Sequence, residues 1–408
     1  MQLEDIFKQV EALRPEMVQT LMQLIRLPAI GPENGGEGEL RKAEALVTIL
    51  KNLGFDKIER FDAEDSRVPS GKRPNIVAYC EGETNAQKLW IVTHLDIVPS
   101  GKEELWKQAN PFEPVAKDDR VYGRGSEDNG QSLVASIFAV KALKQLGVTP
   151  KRTVALAFVS DEEMGSTMGI QHLISKGLFG KNDLMVVPDS GEPEGDFIEI
   201  TEKSILWFKL VTVGKETHGS LPNKGLNAHR IGMQVSLALD EMLHAQYNAT
   251  DNCFNVPIST FEPTRKDKNV EAVNIVPGED VVYFDCRVLP NYQLADVLAD
   301  IEKVTKKFEE KTGASIKLEV LQRQEAPEVF DKNSEVATLL KNAIKQARGL
   351  DAKVGGIGGG TCAAFFRKAG IPAVVWSTID EALHQPDEYS KIKNLVDDAK
   401  VFALLAVG

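Results

Sequence analysis

The chain has 408 residues, of which 42% are hydrophobic and 26% are charged. This length exceeds what one hydrophobic core usually supports, so two domains are expected. The formal net charge of −12 argues against a nucleic-acid partner, because such proteins neutralise phosphates with clustered Lys and Arg.

The cysteines and the N-terminal residues indicate the compartment. Four widely separated cysteines form no CxxC pair, which is unlike a disulfide framework or a structural zinc site. Residues 1–14 mix charged and apolar side chains at helical spacing, unlike a signal peptide. No apolar run reaches the roughly 20 residues that span a bilayer. We therefore expect a soluble, cytoplasmic protein without a membrane partner.

Helical and strand-like segments alternate in the first half of the chain. Apolar residues recur every three or four positions in Ile6–Leu27 and Leu40–Leu53, which predicts two amphipathic helices, and Ser132–Leu146 predicts a third. Short β-rich runs lie at Asn75–Tyr79, Leu89–Thr93, Val154–Val159 and Leu184–Val187. Buried strands that alternate with helices predict an α/β fold with a mostly parallel sheet flanked by helices.

The pattern changes after residue 200. From there the order is strand, helix, strand, helix, strand, in Leu206–Val213, Ala228–Tyr247, Val281–Val288, Ala295–Thr312 and Ser315–Leu321. This order predicts a small α+β domain of ferredoxin-like, open-faced sandwich type. The last part returns to a helix ending at Arg348, a glycine-rich turn at Gly355–Gly360, a helix from Thr361 and a strand at Ala373–Ser377. We therefore predict a discontinuous domain, residues 1–202 and 323–408, interrupted by an inserted domain, residues 203–322.

Candidate metal ligands follow the predicted strands. In open α/β sheets, ligands bind beyond the carboxyl ends of strands. The strand Leu89–Thr93 runs directly into His94-Leu-Asp96. The imidazole of His94 suits zinc, and Asp96 could hold the second ring nitrogen. A structural hydrogen bond explains this pair equally well.

Further acids and a second histidine come after other strands. Asp128 stands before the predicted helix from Ser132, where it could cap the helix or bridge two cations. Three consecutive acids, residues 161–163, follow the strand Val154–Val159, and their mutual repulsion requires either cations or solvent. Asp189 and His384 follow two later strands. Together these segments are hard to explain as unrelated turns. Histidine and carboxylate ligands without a thiolate suit zinc, cobalt or manganese in a hydrolytic centre.

The order of these motifs resembles the family that contains acetylornithine deacetylase, succinyl-diaminopimelate desuccinylase, aminoacylase-1 and carboxypeptidase G. The resemblance covers essentially the whole chain, including the inserted domain. It implies a zinc-exopeptidase-like catalytic domain with a lid. It also implies two divalent metal ions, with Zn²⁺ as the first expectation and Co²⁺ or Mn²⁺ as alternatives.

The resemblance assigns roles to the matching positions. Five residues match the metal ligands of the family: His94, Asp128, Glu163, Asp189 and His384. Asp128 would bridge both ions, and Glu163 and His384 would complete one of the two sites. Asp96 would orient its neighbouring histidine. Glu162 would be the general base that takes the proton of the attacking water and passes it to the leaving nitrogen. From the residues alone, Glu162 and Glu163 cannot be told apart.

The inserted domain corresponds to the lid of the family and implies a homodimer through that lid. His218 would help to stabilise the tetrahedral oxyanion, in many relatives from the neighbouring subunit. A surface loop histidine is the alternative. Asn274 and Arg287 match lid positions that contact substrate. Arg287 could bind a substrate carboxylate with its planar fork, or it could be a strand arginine in an ion pair.

The glycine-rich turn adds three candidate substrate-binding residues, Gly359, Gly360 and Thr361. Backbone N–H groups of such a turn at the start of a helix can hold an anion. The turn lacks the lysine of a P-loop, which excludes that mode of nucleotide binding. Cys362 departs from the relatives, which commonly have an acid or serine there. It could affect selectivity or metal preference, or it could be a packed helix residue.

These features predict metal-dependent hydrolysis of an amide bond in an N-acyl amino acid or dipeptide-like substrate with a free carboxylate. A deacylase is slightly favoured, with a dipeptidase or carboxypeptidase as the alternative. A non-catalytic binding protein of the same fold is disfavoured, because all five metal ligands and Glu162 are present. An oxidoreductase is excluded, because no GxGxxG follows the first strand.

Overall fold

A computed structural model describes residues 3–327 and 332–408. The chain folds into two compact units. Unit 1 comprises Met1–Ile200, Phe330–Val354 and Thr361–Gly408, and unit 2 comprises Thr201–Val329 and Gly355–Gly360. The residues of the glycine-rich turn therefore group with unit 2, whereas the sequence placed them in the discontinuous domain. The domain bounds inferred from the sequence stay a prediction.

An eight-stranded sheet is the centre of unit 1. The order across it is Lys57–Arg60, Ile76–Cys80, Val154–Val159, Leu89–His94, Leu184–Glu192, Ala373–Thr378, Phe197–Glu202 and Lys353–Ile357. The four strands from Val154–Val159 to Ala373–Thr378 pair in parallel, and antiparallel strands flank them. The predicted α/β fold is confirmed, with the parallel pairing in the middle of the sheet.

Helices cover both faces of this sheet. The α-helices of unit 1 are Leu3–Ala12, Arg14–Ile25, Leu40–Asn52, Ser132–Gln145, Ile170–Ser175, Glu335–Arg348, Ala363–Lys368 and Ile392–Val407. Ser132–Gln145 packs on the strands Leu89–His94 and Val154–Val159. Trp90 and Val92 pack in a cluster with Ile170 and Phe366 of other helices. Because the strands are buried on both sides, they are continuously apolar rather than alternating.

The first predicted helix is two helices. The periodic segment Ile6–Leu27 forms Leu3–Ala12 and Arg14–Ile25, with a break at Leu13. Pro15 lies in the first turn of the second helix. Proline has no backbone N–H and its ring clashes with the preceding turn, so it starts a helix but does not continue one. Both helices still bury their apolar stripes, including Ile6 and Leu21.

Unit 1 also contains two small sheets. One has the order Tyr389–Lys391, Arg120–Tyr122 and Val115–Lys117, and the other pairs Ala63–Glu64 with Lys72–Arg73. The first of these places residue 389 beside Tyr122, and its strand contacts the helical turn Ser126–Gln131 that contains Asp128. It therefore ties the segment after His384 to the segment before Asp128.

Unit 2 contains a four-stranded antiparallel sheet with the order Thr260–Lys266, Glu279–Val288, Ser204–Val213 and Ser315–Gln324. The helices Ala228–Gln246 and Leu294–Thr312 pack with its inner residues, among them the stacked rings of Phe208 and Phe284. The sequence did not predict the edge strand Thr260–Lys266. Pro263 and the charges after it hide the strand pattern, and an edge strand is where a sheet tolerates proline.

A two-stranded ribbon completes unit 2. It pairs Thr217–His218 with Ile275–Val276. Across the residues that the structure describes, no helix has the length and apolar character needed to cross a membrane.

Candidate metal centre

Neighbouring parallel strands bring the predicted ligands of unit 1 to one edge of the sheet. His94 is the last residue of its strand and pairs in register with Val159, after which the acidic turn begins. Asp189 lies in the next strand, Leu184–Glu192. Because the carboxyl ends of parallel strands meet at the same edge, these side chains converge.

One group of donors consists of His94, Asp128 and Asp189. The Nε2 atom of His94 is 2.8 Å from Oδ1 of Asp128 and 3.2 Å from Oδ1 of Asp189. One donor atom of each residue lies within 4.8 Å of the others. A nitrogen and two carboxylate oxygens at such distances can face a single cation.

A second group consists of Asp128, Glu163 and His384, again within 4.8 Å of one another. The Nε2 atom of His384 is 3.0 Å from Oδ2 of Asp128 and 3.2 Å from Oε2 of Glu163. Asp128 thus presents one carboxylate oxygen to each histidine. This is the arrangement that a carboxylate between two cations requires.

The acids of the two groups shift the pKa values of both histidines. Hydrogen bonds to Asp128 and Glu163 raise the pKa of His384 to about 10. Burial alone would lower the pKa of His94, but Asp189 and Asp128 outweigh it and raise that pKa well above the usual value. The acids therefore attract positive charge, which imidazolium or a divalent cation can supply. The nitrogen and oxygen donors fit zinc, cobalt or manganese, so the residues present fit two such ions.

Glu162 lies next to these groups and belongs to neither of them. One of its carboxylate oxygens lies within 4.8 Å of a donor oxygen of Asp189. Burial, followed by the charge of Asp189, raises the pKa of Glu162 well above the usual range. Among the described residues, no N–H or O–H group donates to this carboxylate. Because no such hydrogen bond holds it in the ionised form, the carboxyl group of Glu162 is free to gain and lose a proton.

Asp96 contacts His94 through a different atom than expected. The backbone carbonyl of Asp96 is 2.9 Å from Nδ1 of His94, whereas its carboxylate is 3.7 Å away. The carboxylate instead accepts the backbone N–H groups of Glu162 and Glu163, each at 3.1 Å. This is possible because Asp161, with a φ of 67°, turns the chain so that both N–H groups point at Asp96. Asp96 therefore positions the acidic turn with its side chain and the histidine with its backbone.

A buried lysine supports the same segment. Lys42 is 7% exposed, on the apolar face of the helix Leu40–Asn52, and its ammonium group donates to the carbonyl of Leu95 at 2.8 Å. Burial lowers the pKa of Lys42 to about 8. The sequence contained a signal for this contact, since a lysine among the apolar positions of a helix needs a buried partner.

Two buried glutamates tie the Asp128 segment to the His384 segment. The carboxylate of Glu388 accepts Nη1 of Arg124 at 2.6 Å and the N–H groups of Gly125, Glu127 and Asp128 at 3.1, 3.0 and 3.2 Å. In return, the carboxylate of Glu127 accepts the N–H groups of residues 380 and 382, each at 2.6 Å. Each segment therefore holds the backbone of the other.

Sequence reasoning missed both glutamates. Glu127 and Glu388 each stand within a few residues of a predicted ligand and are 3% and 1% exposed. Their partners lie more than 250 positions away along the chain. The sequence shows that each glutamate lies near a predicted metal ligand, but it does not show which distant backbone groups the glutamate binds.

The predicted residues of unit 2 lie on the ribbon and its surroundings. The Nδ1 atom of His218 accepts the backbone N–H of Ser220 at 3.2 Å, so the proton of a neutral ring lies on Nε2. The His218 side chain is exposed. The exposed Asn274 accepts the N–H of Gly219 through its backbone carbonyl at 2.6 Å.

Arg287 is engaged within unit 2. Its guanidinium donates to both carboxylate oxygens of Asp285, at 2.6 and 3.0 Å, and to the carbonyl of Gly358 at 3.0 Å. The structure thus shows the ion pair that was the alternative for Arg287. The contact with Gly358 also holds the glycine-rich turn, in which Gly359 is half-buried and Gly360 is exposed. In unit 1, Thr361 accepts the N–H of Ala363 at the start of the next helix.

The chain is similar to several known proteins. The family model described as Peptidase family M20/M25/M40 matches residues 90–407. An uncharacterised metallohydrolase of Methanocaldococcus jannaschii is 40% identical over 95% of this chain and 98% of its own. A succinyl-diaminopimelate desuccinylase of Nitratiruptor is 25% identical over 91% and 94%. The aminopeptidase PepT of Bacillus cereus has a TM-score of 0.77 at 18% identity, over 96% and 98%.

Proposed function

The chain belongs to peptidase family M20/M25/M40, and from this premise we propose that it hydrolyses an N-acyl amino acid or a dipeptide-like amide with a free carboxylate. Membership confirms the family expected from the motif order and makes the chain a metallohydrolase. The proposal concerns the substrate, the ions and the residues that act. The observation that carries it is the sharing of Asp128 by two donor groups with Glu162 beside them.

Two divalent ions fit these donors, and Zn²⁺ is the first choice. His94, Asp128 and Asp189 would hold one ion, and Asp128 would share the other with Glu163 and His384. When bound, such ions supply the Lewis acidity that acidifies water and polarises a carbonyl. The protein's own part is to hold the donors in place, which Asp96, Glu127 and Glu388 do through backbone hydrogen bonds.

Glu162 is the general base of the proposed reaction. Its carboxylate is adjacent to a donor of the first group and has no hydrogen-bond donor among the described residues. A base in this position takes a proton from the attacking water. Its raised pKa then favours keeping that proton until it passes to the leaving nitrogen. The same carboxylate therefore serves both halves of the proton transfer.

His218 is proposed to donate its Nε2–H to the oxyanion of the tetrahedral intermediate, in a homodimer formed through the inserted domain. Its exposure and its tautomer support this role. If His218 acts across a dimer, a mixture of His218→Ala and Glu162→Ala chains regains up to about a quarter of the activity through mixed dimers. If no mixture restores activity, His218 acts in its own subunit or takes no part in the reaction.

The substrate carboxylate is proposed to bind near the glycine-rich turn and Asn274. Arg287 already pairs with Asp285, so its contribution is to hold Gly358 and to add positive charge. The N–H groups of Gly359, Gly360 and Thr361 are the candidate donors. The scattered cysteines further lead us to propose a reducing, cytoplasmic location.

A deacylase remains the preferred form of this hydrolase. Its support is the similarity to an enzyme named succinyl-diaminopimelate desuccinylase. The alternative is a dipeptidase or carboxypeptidase. The fold shared with an enzyme named aminopeptidase fits that alternative as well.

A substrate panel tests the proposal. The zinc-loaded enzyme is offered N-succinyl, N-acetyl and N-formyl amino acids beside dipeptides, and the released amine is measured. We expect hydrolysis of at least one class, its loss after dialysis against a chelator, and its return with Zn²⁺, Co²⁺ or Mn²⁺. Blocking the carboxylate of the best substrate as an amide should raise KM strongly. Undiminished hydrolysis by metal-free protein contradicts the proposal.

A further inference from the structure

A third group of potential metal donors lies beside the two already described. It consists of Glu162, Asp189 and Cys362, with one donor atom of each within 4.8 Å of the others. Cys362 is 4% exposed and directly precedes the helix Ala363–Lys368. The proposed hydrolysis uses the two acids but gives the sulfur no part.

Packing alone does not account for this cysteine. Cys362 does contact an apolar cluster that includes Val187 and Phe366. A wholly apolar side chain could make such contacts without placing a sulfur beside two carboxylates. Neither of the other donor groups contains a sulfur. The third group therefore differs from them chemically, and not only in position.

The spacing of the three atoms suits a single cation. Zinc lies about 2.3 Å from a thiolate sulfur and about 2.0–2.2 Å from a carboxylate oxygen, so two of its ligands are at most about 4.5 Å apart. The donor atoms here lie within 4.8 Å of one another, so small side-chain movements bring them to the distances of a filled site. A thiolate favours soft cations such as Zn²⁺ over Mg²⁺ or Mn²⁺, and Cd²⁺ is softer still.

We propose that Glu162, Asp189 and Cys362 form a third, inhibitory cation site for a thiophilic divalent ion. On binding, the thiol of Cys362 releases its proton to solvent and the sulfur becomes a ligand. Asp189 has two carboxylate oxygens, so it can serve this ion as well as the first donor group. The ion occupies the carboxylate of Glu162, which can then no longer accept the proton of water. The inhibition, though not the binding, rests on the proposed function.

Cadmium is the probe that tests this site, because a thiolate–cadmium bond adds an ultraviolet absorption band. Enzyme that already holds two zinc ions per chain is titrated with CdCl₂, while the band, the bound zinc and the hydrolysis rate are followed. We expect a band that saturates at one cadmium per chain, retained zinc, and inhibition that follows the band. Cys362→Ala should lose the band, and the inhibiting concentration should rise about tenfold or more.

Cys80→Ala is the matched control. Cys80 is 3% exposed and pairs with Val154, at the opposite end of the strand that precedes Glu162. This variant should keep both the band and the inhibition. Cys362→Ser replaces the alanine variant if that one does not fold, and it should behave in the same way.

Three results would overturn the proposal. The first is a band of unchanged size in Cys362→Ala. The second is a sulfur band that arises when metal-free protein takes up its first two cadmium ions, which would make Cys362 a ligand of the resident pair. The third is a saturated band without inhibition in an enzyme that hydrolyses its substrate. If no substrate is hydrolysed, the proposed function fails, while the band still decides whether the site exists.

Discussion

At the scale of single residues, Glu162 has the environment of a proton carrier. Burial is the largest cause that raises the pKa of this carboxyl, and the negative charges of Asp189, Glu163 and Asp96 raise it further. A carboxylate in such surroundings holds a proton more strongly than one in water. A neighbouring cation would lower that pKa again, so the group can take up and release a proton during one reaction cycle.

Replacing Glu162 by Gln should leave metal content near normal and lower kcat by about 10²–10⁴, the usual contribution of a general base. The amide keeps the size of the side chain but cannot accept the proton. Metal analysis and steady-state kinetics on the same preparations measure both effects. Glu163→Gln is the paired control and should lose metal as well as activity. Equal loss of metal and turnover in Glu162→Gln would instead assign Glu162 as a ligand.

The residues around the two donor groups were predictable to different degrees. His94 and Asp189 follow apolar strands directly, so the strand pattern alone placed them at one edge of the sheet. The atoms of Asp96 that make contact were not predictable, because they depend on the turn at Asp161. The separate roles of Glu162 and Glu163 came from the family resemblance and stay a prediction.

At the scale of elements, the buried glutamates Glu127 and Glu388 connect two loops by hydrogen bonds. Glu388 accepts four hydrogen bonds from the loop that carries Asp128, and Glu127 accepts two from the loop that leads to His384. A buried carboxylate with this many donors is costly to alter, because its partners cannot turn to water. The position of Asp128 therefore depends on an acid of another loop.

Replacing Glu388 by Gln should weaken zinc binding about 10–100-fold, the usual effect of altering a group that supports a ligand. The amide NH₂ would face N–H donors and push the loop of Asp128 away. Competition with a coloured chelator measures the affinity. Asp183→Asn is the matched control, since Asp183 is also buried and accepts the N–H groups of Lys88 and Gly180, at the opposite end of the strands. Equal zinc affinity in wild type and Glu388→Gln would remove Glu388 from the support of the site.

The elements themselves were predicted best where burial is two-sided. The central strands, which are apolar along their length, lie close to the predicted positions. The break at Leu13 was missed, although Pro15 marked it, because the apolar spacing continues through the proline. The edge strand Thr260–Lys266 was missed because an exposed edge does not require apolar residues.

At the scale of the whole molecule, one buried acid should make stability depend on pH. Asp398 is fully buried, accepts the N–H of Thr378 and lies 3.4 Å from Arg348. Burial raises the pKa of Asp398 to about 6 in the folded chain, above the value near 4 of an unfolded chain. As the pH rises, the carboxyl group of Asp398 therefore ionises in the unfolded chain before it ionises in the folded chain. The free energy of unfolding consequently falls as the pH rises from about 4 to about 6.

Asp398→Asn should remove this loss, because the amide does not titrate. Relative to the variant, the free energy of unfolding of wild type should fall by about 1–3 kcal/mol between pH 4 and pH 6. Urea unfolding of both metal-free proteins across this range measures the difference. A difference between the two proteins that does not change with pH would contradict the assignment.

The number of ions that the whole chain holds tests the central claim most directly. Metal analysis after loading with zinc, followed by removal of excess zinc and of ions held more weakly than the pair that shares Asp128, should find two ions per chain in wild type. His384→Ala should keep one ion, whereas Asp128→Asn should lose both, because the two donor groups share that carboxylate. A single ion in saturated wild type, or two ions retained by Asp128→Asn, would contradict a centre built on Asp128.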